Sequence, residues 1–244
     1  MNFDAIDVYA MLQPMIDKGG WYWRADTGKL DRIASTQEAR TPWVHHHHLA
    51  LGLDDCHFWN DIIFTRFDIM PSYCMDCYKV VIVPNTVDQL FRLCDVQAQL
   101  IGMPSKCGLE IRDSTPRLYG GYHYCRGVEK GREVYELMRT LVTKHIGGDV
   151  RIGLKRGCTE YETEKAFGKS DTWPEIVPEQ IEFEKKIREL ITDPPEVLGQ
   201  SEHLVKHVKN KWVVWAHAHA DMTYLPYCNN KPLHEPYVLY AGAL

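Results

Sequence analysis

The chain contains no Gly-rich phosphate loop, no Gly-x-Ser-x-Gly elbow and no convincing catalytic triad. Neither a phosphate cradle nor a hydrolase nucleophile is therefore legible, and no catalytic residue is named. It has no long basic run: 28 Lys and Arg stand against 33 Asp and Glu, for a net charge of −5. A nonspecific nucleic-acid binder carries a basic face, so nucleic acid is not expected as a partner. No apolar run approaches the about 20 residues of a membrane helix, so no membrane partner is expected either. The opening stretch MNFDAIDVYAMLQPMIDK is acidic and amphipathic, without the basic start and apolar centre of a secretory signal. There is no Asn-x-Ser/Thr sequon. Together these absences lead to the expectation of a cytoplasmic protein with reduced thiols. In that setting its eight cysteines are read as metal ligands or reactive groups before disulfides.

What is present is a chain of 244 residues, 45% hydrophobic, enough for one large domain or a core with appendages. No internal repeat appears. Residues 1–72 read as an N-terminal α/β appendage. DAIDVYAMLQPMI has helical spacing and stops at Gly19-Gly20, and GWYWRADTGKLDRIAS is a hairpin turning at Asp26-Thr27-Gly28. HFWNDIIFTRFDIM is apolar but ambiguous between helix and strand.

Residues 73–160 carry the clearest pattern. Tyr78–Val83 is a β-branched strand ended by Pro84. Thr86 and Gln89 form a capping box for a helix whose stripe is Val87, Leu90, Cys94, Ala98 and Ile101, stopped by Gly102. LEIR and Leu118–Tyr124 are strands around the turn DSTP. Val134, Leu137, Met138, Leu141 and Val142 mark a second helix, and VRIGLK is the last strand. The order β-α-β-β-α-β predicts an α+β fold with a ferredoxin-like core, its strands arranged 4-1-3-2. Residues 161–244 read as a helical C-terminal extension packed on that core. Its first helix begins near Pro178, and its long final helix is SEHLVKHVKNKWVVWAHAHADM.

This topology sorts the cysteines. Cys74 and Cys77, a Cys-x-x-Cys pair, precede the first strand, and Cys107 precedes the second. Cys125 follows the third strand and Cys158 the fourth. All five come to one sheet edge, where neighbouring strands are about 4.8 Å apart. Cys74, Cys77, Cys125 and Cys158 are the expected metal ligands, with Cys107 on the outer strand as the alternate. Lys79, Lys106, Arg126 and Arg156 each stand within two residues of one of these cysteines and would tune the site, since cations stabilise a thiolate centre. Only one local knuckle exists and the other sulfurs come singly from distant strands. That pattern, all cysteine, favours a [4Fe-4S] cluster over zinc. Cys94 is expected to be core; Cys56 and Cys228 are isolated.

The histidines carry weaker signals. Alternate members of His45–His48 could share a face and bind metal, but such a run more often is a solvated loop or a partly buried polar strand. His217, His219 and Asp221 share spacing with metallohydrolases, but His217 and His219 diverge on a helix. His203 and His207 lie at i, i+4 with no third ligand nearby. The leading expectation is an iron–sulfur protein with an electron-transfer or redox role and a protein redox partner. The alternatives are a zinc-binding structural or interaction protein with a four-cysteine site, and a thiol–disulfide redox protein using Cys74 and Cys77. The last is weakened because a thioredoxin-type pair follows a strand and opens a helix, whereas this one precedes a strand.

Overall fold

The structure is a computed structural model that describes residues 3–17, 21–32, 41–46, 59, 64–67, 69–112, 115–159, 161, 170–192 and 200–234. In chain order the longer elements are α1 (Val8–Asp17), β1 (Trp21–Trp23), β2 (Leu30–Arg32), β3 (Trp43–His46) and β4 (Cys77–Val83). They continue with α2 (Val87–Gln99), β5 (Ser105–Leu109), β6 (Tyr119–Arg126), α3 (Val128–His145), β7 (Arg151–Arg156), α4 (Pro178–Glu189) and α5 (Glu202–Ala218). The protein is a mixed α+β fold built on a five-stranded antiparallel sheet, ordered β3-β5-β6-β4-β7.

The helices start where local chemistry tells them to. The Thr86 hydroxyl accepts from Gln89 N at 3.2 Å and caps α2. The Gln89 side chain reaches back one residue further than a capping box requires, accepting from Asn85 N at 2.8 Å. Pro178 opens α4, where a missing N–H costs nothing. Ser201 caps α5 through Leu204 N. That helix ends at Ala218, earlier than its apolar spacing predicts. Ala220 takes a left-handed φ of 59°, and the Asp221 carboxylate caps the short 3-10 helix that follows.

Two cores result. The larger lies between the sheet and α2, α3 and α5, with Val80, Ile82, Leu90, Leu93, Met138 and Trp212 fully buried. The smaller joins α1, the β1–β2 hairpin and α4 through Leu12, Leu30, Phe183 and Ile187. The hairpin turns at Asp26-Thr27-Gly28 as its sequence predicts, with Gly28 at φ 65°.

The strands correct two sequence expectations. The second strand of the central segment is Ser105–Leu109, not Leu109–Arg112, and Ile111 is 58% exposed. Cys107 therefore lies inside a strand rather than before it. Cys125 likewise lies within β6, which runs on to Arg126. The cause is pairing from both sides, because SKCGL is held by β6 and also by β3, an edge strand outside the predicted core. Gly108 sits opposite Trp43 in that register, and a Cβ there would collide with the Pro42–Trp43 backbone.

Candidate metal centre

The cysteines expected to share a site divide between the two faces of the sheet. Cys77 pairs with Arg126 and Tyr78 with Cys125, so alternation along β4 and β6 sends the Cys77 and Cys125 side chains opposite ways. Cys125 enters the main core beneath the helices. Cys74 lies in the helical turn Ser72–Met75, buried with Phe64, Met70, Tyr161 and Trp173, its sulfur 3.1 Å from the Tyr161 hydroxyl. Cys158 packs against that same cluster and accepts from the Lys79 amine at 2.9 Å. Burial pushes the Cys77 thiol up to about 11, with Lys79 opposing and Cys158 and Cys125 adding to the rise. Burial does the same for Cys125, also up to about 11.

The four cations have separate tasks. Lys79 reaches a cysteine sulfur. Its own burial opposes its charge, yet the Cys158 thiol, Tyr124 and Cys77 hold its amine well above its ordinary range. Arg126 donates to the Tyr73 carbonyl at 2.7 Å, and Arg156 to the carbonyls of Met75 and Ser170 at 2.7 and 3.1 Å. Both arginines thus brace the backbone around the Cys-x-x-Cys turn. Lys106 stands over the Trp43 ring at 4.5 Å, and burial lowers its amine to about 8.

A different set of donors comes together at single-ion spacing. Among the described residues, His46, Cys94 and Cys107 are the group of three or more His, Cys, Asp or Glu whose donor atoms all lie within 4.8 Å of one another. The fold positions each one. Val44 pairs with Cys107 and His46 with Ser105, so His46 and Cys107 share the sheet face turned toward α2. Cys94 lies on the buried stripe of α2 and looks down onto that face. Cys94 and Cys107 are 2% and 0% exposed, and His46 is half-buried.

The geometry suits a tetrahedral ion. Cys94 Sγ and His46 Nε2 are 3.6 Å apart. Zinc with sulfur at about 2.3 Å and nitrogen at about 2.0–2.1 Å holds two such donors about 3.6 Å apart. The protons are also poised. Donation from Cys107, opposed by burial and aided by His46 and Lys209, pulls the Cys94 thiol down to about 5. Burial and its bond to Cys94 raise Cys107 well above the ordinary thiol range. Of the two facing thiols Cys94 is thus the more readily ionised, with the Lys209 cation of α5 favouring its charge. Two sulfurs and one imidazole form a soft donor set that matches zinc and related ions.

Of these three, sequence reasoning named Cys107 alone, as an alternate ligand. Cys94 carries a helical-stripe position that reads equally well as core, and His46 lies in a histidine run with no internal marker. Alternation within His45–His48 was the signal for a ligand there, since alternate strand histidines share a face, but it did not single out His46. The other histidine candidates do not assemble. His217 Nδ1 meets the Tyr224 hydroxyl at 3.1 Å, His219 Nδ1 lies 2.8 Å from the Trp215 carbonyl, and Asp221 is occupied with capping. His203 and His207 are exposed on α5, and Cys228 is half-buried at the rim of the main core. Cys56, His47 and His48 lie outside the described residues. No helix among the described residues is long and apolar enough to cross a membrane. Comparison with protein-family models, with curated proteins and with solved structures finds no match.

Proposed function

We propose that this protein binds a single transition-metal ion, zinc by preference, through His46, Cys94 and Cys107, and that the ion has a structural role. The observation that carries this reading is the 3.6 Å separation of Cys94 Sγ and His46 Nε2, the spacing a tetrahedral zinc imposes. The near-complete burial of both sulfurs favours a structural ion over a catalytic one, which needs an open approach. The three donors come from β3, α2 and β5, so the ion would clamp an edge strand and a helix to the sheet. In this reading the core is a ferredoxin-like βαββαβ sandwich, supported by the order β5-β6-β4-β7 of its strands, with β3 added at one edge. The seven described cysteines are free thiols, which suits a reducing, cytoplasmic setting.

A second reading keeps a [4Fe-4S] cluster at Cys74, Cys77, Cys125 and Cys158. It is favoured by the shared packing of Cys74 and Cys158 and by the Lys79 amine 2.9 Å from Cys158. A cluster also spreads its ligands wider than a single ion does. Against it stands the register that turns Cys77 and Cys125 apart. Metal analysis of anaerobically purified protein separates the two. The zinc reading expects one zinc per chain, lost in Cys94→Ser and Cys107→Ser and kept in Cys125→Ser and Cys158→Ser. Brown protein with iron and acid-labile sulfide, lost in the second pair and kept in the first, would replace it with the cluster.

A further inference from the structure

Next to the three donors lies a group of buried polar atoms that nothing among the described residues satisfies. His46 pairs with Ser105 across β3 and β5, and Ser105 pairs with His123 across β5 and β6. The three therefore form one row across the sheet, on the face turned toward α2. The backbones of the two histidines lie two strand spacings apart, about 9.6 Å, with only a serine between them. His123 is 1% exposed, and neither of its ring nitrogens has a hydrogen-bond partner among the described residues. The Ser105 hydroxyl, also fully buried, has none. Gln97 lies one helical turn from Cys94 on α2. It donates weakly to the Lys106 and Tyr122 carbonyls at 3.4 and 3.5 Å, while its own side-chain oxygen is buried and unpartnered.

Such a group is costly. Each buried polar atom left without a partner gives up its hydration for nothing in return. A histidine serving only as core filler would ordinarily find at least one partner for its ring. His123 also feels its neighbour: burial, and then the charge of His46, lower its imidazole to about 4. His46 and His123 thus flank Ser105 on one face of the sheet, with Cys107 two residues along β5 and Cys94 on the helix that covers that face.

We propose that His123 is the fourth ligand of the ion held by His46, Cys94 and Cys107, completing a site of two cysteines and two histidines in which Gln97 Oε1 accepts the N–H of the imidazole nitrogen not bound to metal. The proposal rests on the three-donor reading. It supplies the tetrahedral fourth position that structural zinc takes from protein, and the carbonyl partner that ligating histidines use to fix their tautomer. The His123 nitrogens lie outside the mutual 4.8 Å group, so the ring must turn to close on the ion. No hydrogen bond among the described residues holds it back. Closure would satisfy both ring nitrogens and the Gln97 oxygen at once.

Cobalt(II) titration of the metal-free full chain tests this, because sulfur-to-cobalt charge-transfer intensity counts thiolates and the visible bands report tetrahedral geometry. The wild-type protein should show two-thiolate intensity and a tetrahedral spectrum, both abolished by Cys94→Ser. His123→Ala should weaken cobalt binding by at least about 100-fold, and Gln97→Leu by about 10–100-fold. His123→Cys should keep binding and raise the charge-transfer intensity by half, as a third thiolate replaces an imidazole. Should His123→Ala fail to fold, the cysteine and Gln97 variants decide. Wild-type binding that is unchanged in affinity and spectrum by His123→Ala or by His123→Cys overturns the fourth ligand alone. No cobalt spectrum in the wild type, or one that survives Cys94→Ser, overturns the three-donor site and this inference with it.

Discussion

At the residue scale, Cys94 and Cys107 show how one fold gives two identical side chains opposite proton affinities. Cys107 is fully buried inside a strand and keeps its proton; Cys94 receives that thiol as a donor and has His46 and Lys209 near it. The direction of each shift sets the proton count for metal binding. With Cys94 lowered and Cys107 raised, a thiolate on Cys94 and a proton on Cys107 are expected in the metal-free protein at pH 8. Zinc binding should therefore release about one proton from the thiols rather than two. Calorimetric titration in buffers of different ionisation enthalpy measures that number directly. A release near two would show that Cys94 holds its proton in the metal-free protein.

At the scale of elements, Asp221 is the joint among α5, α2 and β6. Its carboxylate accepts from Val87 N, the first residue of α2, at 2.6 Å and from the Tyr119 hydroxyl at 2.7 Å. It also accepts from Thr223 N and the Thr223 hydroxyl at 3.1 and 2.7 Å. Burial opposes the Asp221 charge, but the Thr223, Tyr119 and Val87 donors outweigh it and hold the carboxyl below its usual range. A carboxyl that is more acidic when folded contributes stability above its unfolded pKa, about 3.9, and loses it as the pH falls further. Asp221→Asn should cost about 2 kcal/mol at pH 7, the worth of hydrogen bonds to a charged group. The difference from wild type should shrink toward pH 3, as urea unfolding at the two pH values would show. An equal cost at both would mean that the carboxylate charge is immaterial to the joint.

At the scale of the whole molecule, the two cores separate stability from the candidate site. Leu30 is fully buried in the smaller core, and its backbone exchanges hydrogen bonds with Leu190 and Thr192 at 2.6 and 2.9 Å, tying the hairpin to the end of α4. A second tie runs from the Glu184 carboxylate on α4 to Ser72 N, just ahead of the Cys-x-x-Cys turn. Leu30→Ala should destabilise the protein by about 2–5 kcal/mol through the cavity it leaves. Zinc affinity should stay within about twofold of wild type, since effects at distant sites add independently. A large loss of zinc binding in that variant would mean that the two cores fold and bind metal as one unit.

The elements were readable where their causes are local. Thr86 caps α2 three residues from its partner, Gly28 turns a hairpin within its own neighbourhood, and the Val87–Leu90–Cys94 stripe repeats at helical spacing. Hydrophobic period and cap chemistry act over a few residues, so the sequence alone determined these helices and the alternation of element types through the centre of the chain. It also brought five cysteines to notice. Tertiary pairing decided which of them meet. His46 and Cys94 are 48 positions apart, and they meet because β3 adds to the β5 edge, a pairing that no local pattern encodes. The same pairing moved the second core strand to Ser105–Leu109 and put Cys107 inside it. Register then settled the faces: a single residue of offset between Cys77 and Tyr78 sends Cys125 to the helix-covered side, away from Cys77. Side chains alternate along a strand, so closeness along a sheet edge is not closeness in space, and only the assembled sheet specifies which thiols face one another.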